Sequence, residues 1–235
     1  MESPNQIMGD AIAYARANKK RIATELTNTT MFPSEDAPVA VFMSGSPGAG
    51  KTEASQRLIE RFTTQGSGVL RIDSDELRSC FVDYDGTNSS LFQSATSIIA
   101  DKLQDVAIKQ HQSYVFDGTL SNVGRARENI SRCIRHGYSV HIMYVYQDPL
   151  QAWRFVKARA VRDGRVVPKE AFIDQYFRAR ESVHQLKKEF GKQIELHLIV
   201  KNIDGSDATY KANISQIDSY VPERYTDEVL RKQIN

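Results

Sequence analysis

The spacing of apolar positions along the chain changes character at residues 33–38. Before that point Met8, Ile12, Ala15, Ile22, Ala23 and Leu26 recur at helical intervals, with Arg16, Lys19, Lys20 and Glu25 largely off their face. This predicts an amphipathic helix over 8–27. The segment Pro33-Ser-Glu-Asp-Ala-Pro38 ends it, because proline disfavours helix at the residue before it and offers no backbone donor. Beyond the break, five runs rich in β-branched, aromatic or aliphatic residues predict strands: 39–44, 69–72, 113–116, 139–146 and 194–200. Helical spacing fills 51–64, about 91–110, 122–136, 149–162 and 169–189, with a last helical segment near 207–219. Strands separated by helices of this length need crossover connections. The expected fold is therefore α/β: a mostly parallel five-stranded sheet with helices on both faces, plus the N-terminal helix. The polar stretch from Val221 carries only a short helical pattern. The expected organisation is a helix and linker over 1–38, one α/β domain over 39–220 and a C-terminal surface appendage over 221–235.

Composition narrows the function classes. The 235 residues carry 31 Lys and Arg against 29 Asp and Glu, a net charge of +2, so no global field favours nucleic acid or an anionic membrane. Cys80 and Cys133 are too few for a disulfide framework. The N-terminus has Glu2 and Asp10 where a signal peptide carries positive charge, and no apolar run approaches the roughly 20 residues needed to span a bilayer. A cytoplasmic protein is expected. The five histidines, His111, His136, His141, His184 and His197, show no recognisable metal-ligand spacing.

The chemistry begins at Gly45-Ser46-Pro47-Gly48-Ala49-Gly50-Lys51-Thr52, which spells G-x-x-x-x-G-K-[ST] between a predicted strand and a predicted helix. Glycines there let backbone N–H groups close on phosphate oxygens, and the helix N-terminus adds partial positive charge. In such a loop Lys51 bridges the β- and γ-phosphates of ATP, and the Thr52 hydroxyl ligates Mg²⁺. Asp117, at the end of strand 113–116, stands where a carboxylate organises that metal. Gly118 follows it rather than a water-activating glutamate, which argues against a dedicated ATPase. The guanine-reading Asn-Lys-x-Asp pattern is absent.

Strand 69–72 runs into Asp73-Ser74-Asp75-Glu76, which puts carboxylates at the carboxyl end of a strand, the ligand-binding edge of parallel sheets. A carboxylate there can take the proton of an attacking hydroxyl. The plainer alternative is that one of these residues only caps a helix beginning near Glu76. Further on, 154–165 carries Arg154, Lys157, Arg159, Arg162 and Arg165, suited to clamping phosphate oxygens.

Taken together, GSPGAGKT, RIDSDELR, YVFDGTL, ARAVRDGRVVPKEAF and LIVKNIDG resemble, in order and spacing, the zeta-toxin family of P-loop kinases over roughly 38–205. The resemblance implies transfer of the ATP γ-phosphate, with Mg²⁺, to the sugar 3′-hydroxyl of a UDP-activated amino sugar, typically UDP-N-acetylglucosamine. It assigns Lys51 and Thr52 to phosphate and Mg²⁺, Asp75 to the catalytic base and Arg165 to a phosphate contact, with Arg159 or Arg162 as the second arginine. Asp73 joins Asp75 on the substrate side. Asp117 falls where the family usually shows Glu in Glu-Gly-Thr, and Thr119 follows in register toward the sugar pocket. A protein antitoxin is a further partner that the resemblance implies, although residues 1–32 are too short to be a fused three-helix antitoxin. Helix 8–27 is expected to pack on the kinase core. Tyr84 and Phe92 are expected to flank the acceptor.

Overall fold

The computed structural model describes residues 3–64, 68–164 and 166–234. Helix α1 (Pro4–Leu26) starts from Ser3, whose hydroxyl accepts the Gln6 N–H, with proline at the first helical position, where a missing donor costs nothing. Its buried residues are Ala11, Ala15, Ile22 and Ala23, whereas Met8 and Leu26 remain exposed. Of the predicted face, Ala15, Ile22 and Ala23 are buried and Ile12 packs against the core, while its edge positions stay outside, because alanines at 11, 15 and 23 let α1 lie close against the next layer of helix. That partner is α3 (Gln93–Lys109), which buries Ala95, Ile99, Ala100, Leu103 and Ala107. Packing on the core is the expectation that holds. Tyr14 meets Phe81 edge-on at 5.6 Å.

The sheet is built from β1 (Val39–Ser44), β2 (Leu70–Asp73), β3 (Tyr114–Asp117), β4 (Ser139–Tyr146), β5 (Ile194–Lys201) and β6 (Asp207–Lys211), in the order β2-β3-β1-β4-β5-β6. The first five are parallel, and β6 is antiparallel to β5. This corrects two expectations: the sheet has six strands, and 207–211 is strand rather than helix. The reason is that every residue of β6 is exposed, so it carries no apolar period to read. It forms because the turn at Asp204 and Gly205 folds it back onto the β5 edge, where the Asn202 N–H donates to the Ser206 carbonyl.

Crossovers are α2 (Lys51–Thr64), α3, α4 (Val123–Arg135), and the pair α5 (Pro149–Asp163) and α6 (Lys169–Phe190). Asn122 caps α4 and Asp148 caps α5, and Gly164 ends α5 with φ 71°, a left-handed value that suits glycine. The helix expected near Glu76 is a short 3₁₀ turn, Glu76–Cys80, and a second one spans Ser89–Phe92. The C-terminal stretch ends in α7 (Asp227–Gln233). Its Leu230 and Ile234 are buried against Ala152, Val156, Phe172 and Tyr176 of α5 and α6. Tyr225 also donates to Asp148 at 2.8 Å, and buried Arg180 pairs with Asp218. No helix among the described residues is long and apolar enough to cross a membrane.

Candidate active site

The loop 45–50 joins the end of β1 to the start of α2 beside the crossing point of the sheet, since β1 has β3 on one side and β4 on the other. Chain reversal of this kind opens a crevice at the carboxyl ends of the strands. Two glycines are required by their neighbours. A Cβ on Gly45 (φ 139°) would stand 2.4 Å from the Val145 carbonyl oxygen of β4, and one on Gly48 (φ 74°) would stand 2.3 Å from the Ala152 carbonyl oxygen of α5. The loop is therefore wedged between β4 and α5, with Ser46 and Ala49 buried and Pro47 and Gly50 partly so. Lys51 Nζ donates to Gly45 O at 3.0 Å and to Ser46 O at 2.7 Å, which holds the ammonium against the loop. Thr52 is the next residue of α2, and its carbonyl accepts the Ser55 hydroxyl at 2.9 Å.

Beside the loop, two carboxylates end adjacent strands in register: Asp73 of β2 and Asp117 of β3. Between them stands Arg71, which sequence reasoning missed. Its Nη2 donates to Asp73 Oδ2 and to Asp117 Oδ2, each at 2.6 Å, its Nε reaches Ser55 Oγ at 3.2 Å, and Nη1 pairs with Glu76. Ser55 also donates to Asp117 at 2.9 Å, so Asp117 is tied to the first turn of α2, next to Thr52. Burial works against the charge on Arg71, but the hydrogen bond to Asp117 and the nearby acids outweigh it and raise its pKa. A signal for Arg71 does exist in the sequence: an arginine inside a buried strand two positions before an aspartate shares that aspartate's face.

Asp75 occupies the N-cap position of the Glu76–Cys80 turn yet makes no capping bond with its side chain. Capping alone therefore does not account for it. Asp73 Oδ1 accepts the Asp75 N–H at 2.8 Å and fixes the backbone there. The Asp75 carboxylate takes Arg78 Nη1 at 2.5 Å on one oxygen, and Arg159 Nη2 lies 3.9 Å from the other. Arg78, also missed, is almost wholly buried and donates its second Nη to Gln93 at 3.1 Å. Burial lowers its pKa from the usual guanidinium range. Of the two candidate arginines of α5, both exposed, Arg159 lies within 3.9 Å of the Asp75 carboxylate, and Arg162 lies one turn further along. Arg165 lies outside the described residues.

Thr119, just past β3, accepts the Gly45 N–H and the Ser44 hydroxyl through its carbonyl, and its own hydroxyl pairs with Ser121 at 2.9 Å. Phe92 is buried in the core against Phe81 and Tyr84, so it does not flank an acceptor as expected. On the side of β5, buried Lys201 pairs with Asp207 at 2.5 Å, and Asp207 also takes Arg57 of α2 at 3.1 Å. The Lys201 stem lies 3.0 Å from where a Cβ on Gly50 would sit, so the loop has a second cation beside it. The hydroxyl of Thr52 and the carboxylate of Asp117 are oxygen donors of the hard type that Mg²⁺ takes.

A phosphate loop at the switch point of a 2-3-1-4-5 parallel sheet, with acids at the ends of β2 and β3, defines a P-loop kinase-type fold. The profile of the family described as zeta toxin matches residues 22–215, and the chain belongs to that family. The match confirms the sequence resemblance and extends it into α1. Among solved structures, the PezAT chromosomal toxin–antitoxin system of Streptococcus pneumoniae superposes with a TM-score of 0.67 at 16% identity, over 94% of this chain and 92% of that one. AvrRxo1-ORF1:AvrRxo1-ORF2, solved with sulphate ions, gives a TM-score of 0.61 at 16% identity, over 97% of this chain and 71% of that one. The same pair solved with ATP gives 0.60, also at 16% identity over the same shares. At these identities the likeness concerns the fold. No curated protein sequence matches the chain significantly.

Proposed function

We propose that the protein is an ATP-dependent phosphotransferase of zeta-toxin type, acting on the sugar 3′-hydroxyl of a UDP-activated amino sugar such as UDP-N-acetylglucosamine, and held in check by a protein antitoxin. The observation that carries this reading is the Asp75 carboxylate, placed at the ligand-binding end of β2 without a capping role and flanked by Arg78 and Arg159. Family membership and a toxin–antitoxin system among the similar structures support it.

In this scheme loop 45–50 and Lys51 seat the triphosphate, with backbone N–H groups and the α2 N-terminus supplying positive potential. Thr52 and Asp117 would hold Mg²⁺, which would neutralise phosphate charge when bound. Asp75 accepts the proton of the attacking hydroxyl, and Arg78 keeps the carboxylate aimed until it does. Lys51, Arg165 and one of Arg159 and Arg162 stabilise the charge that develops on the phosphoryl group in flight, Arg159 being the one that lies near Asp75. Thr119 and Asp73 border the acceptor. The reaction is a direct in-line transfer in which the acceptor oxygen forms the new P–O bond, ADP leaves and the proton passes to Asp75.

The test is purified protein with ATP and Mg²⁺ against UDP-sugars, nucleosides and 5′-hydroxyl oligonucleotides, with products read by mass and Lys51→Ala as control. One added phosphate on UDP-N-acetylglucosamine, absent in the control, is the expected result. Phosphate on a nucleoside or oligonucleotide instead would keep the kinase and overturn the acceptor. ATP binding without any phosphorylated product would overturn the enzyme reading.

A further inference from the structure

At the opposite end of the sheet from the phosphate loop, β4 and β5 bring three side chains to one point. His141 and Glu195 are register partners, and His197 follows two residues later on the same face of β5. His141 Nδ1 lies 3.0 Å from His197 Nε2, Glu195 Oε2 lies 3.4 Å from that Nε2, and the same Oε2 lies 3.7 Å from the Nδ1. Three atoms at these separations fall on a circle of radius about 2.0 Å, the length of a zinc–imidazole or zinc–carboxylate bond. A cation just off the centre of that circle meets all three without rearrangement of the backbone.

The surroundings orient the ligands. His141 Nε2 is 2.9 Å from the Ser139 hydroxyl, and His197 Nδ1 is 2.9 Å from the Tyr210 hydroxyl of β6. If each of those outer nitrogens donates, both facing nitrogens present lone pairs, and the outer partners fix ring orientation as they do around bound metals. His197 is nearly buried and further held by a parallel stack with Tyr210 at 6.0 Å. Glu195 is half-exposed, which leaves an approach from solvent and a fourth position for water. His141 stands five residues before the end of β4, about 16 Å along a strand from the carboxyl edge, so the cluster is separate from the phosphate loop.

We propose that His141, Glu195 and His197 form a binding site for a divalent transition metal of zinc type, closed by three protein ligands and open at the fourth position. Two imidazoles and one carboxylate are a donor set that zinc takes in sites with an open position, and Mg²⁺, which takes oxygen ligands, is not suited to it. The metal would clamp β4 to β5 and, through Tyr210, to the edge strand β6. The rival is a plain hydrogen-bond relay, with Tyr210 and the Asn213 N–H donating to His197 and His197 donating to His141.

The test uses the full chain in excess Mg²⁺, so that hard-oxygen sites are filled, titrated with Zn²⁺ by calorimetry and counted by elemental mass spectrometry after dialysis. One Zn²⁺ per chain is expected, together with a rise in thermal midpoint. Glu195→Gln and His141→Gln should each weaken zinc binding at least tenfold and lose the thermal shift, while circular dichroism and ATP affinity stay as in the parent. Glu195→Gln keeps the fold safe, since the residue is at the surface. No stoichiometric zinc in the parent, or equal zinc affinity in both variants, would overturn the site and leave the relay.

Discussion

Replacing Arg71 by Gln removes the guanidinium that stands between Asp73 and Asp117. The arginine side chain is 11% exposed, and the two aspartates 10% and 5%. The carboxylates sit in register on neighbouring strands, about 5 Å apart by strand spacing. At an effective dielectric of about 20, two like charges at that distance repel by about 3 kcal/mol, and each carboxylate loses an attraction of about 4 kcal/mol at a charge separation near 4 Å. Freedom from desolvating the guanidinium offsets part of this. The net cost of breaking such a pair on one side is about 3–5 kcal/mol. The Glu76 contact adds little, because that side chain is mostly in solvent. For a chain of this size the thermal midpoint should fall by roughly 6–20 °C. Thermal and urea unfolding at neutral pH, followed by circular dichroism, measure it. Because a divalent cation can take over the neutralising role, Mg²⁺ should recover more stability in the variant than in the parent. A midpoint within about 2 °C of the parent, with both aspartates intact, would refute the counter-ion argument.

Four further outcomes follow from the geometry. Asp75→Asn should lower kcat about 10²–10⁴-fold while ATP affinity, measured by calorimetry, changes little. Gly48→Ala should abolish ATP binding and lower stability, because the new methyl meets the Ala152 carbonyl at 2.3 Å in a left-handed backbone; a nucleotide titration and a melting curve report both. Burial would raise the Asp207 pKa, but Lys201 and Arg57 hold it below its ordinary value. Its folded pKa being depressed, the stabilisation is present above the unfolded carboxylate pKa and is lost as pH falls through the folded one. Asp207→Asn should therefore lower stability at neutral pH only modestly, because solvent screens a carboxylate that is 40% exposed, and the loss should fade in strong acid, as denaturant titrations across pH would show. The Cys133 thiol is buried and its pKa is pushed up to about 11, so a thiol reagent should modify it only as fast as the chain unfolds, with Cys80 the first to react.

The sequence by itself determined the features whose parts are contiguous. Loop 45–52 lies within eight residues and draws on one strand and one helix. The five buried strands show because burial on both faces favours runs rich in aliphatic, β-branched and aromatic residues. Family membership was legible for the same reason, since each motif is a short segment at a strand end. What only tertiary structure decided involves partners far apart in the chain, or surfaces with no pattern. Strand β6 is exposed throughout, and nothing in its composition separates it from a loop until β5 offers an edge. Met8 and Leu26, at the edges of the apolar stripe of α1, stay exposed because small alanines set how closely the helix meets α3. Arg71 sits in plain view inside its strand, but its role needs Asp117, forty-six residues on, delivered by a parallel crossover. Arg159 and Arg162 share a helical spacing, and the approach of Arg159 to Asp75 depends on the folded positions of α5 and β2. His141 and His197 show no ligand spacing because fifty-six residues separate them, and the register of β4 with β5 alone brings them together. Local propensity and pattern are encoded along the chain, whereas charge pairing and ligand geometry depend on distances through space that only the completed sheet sets.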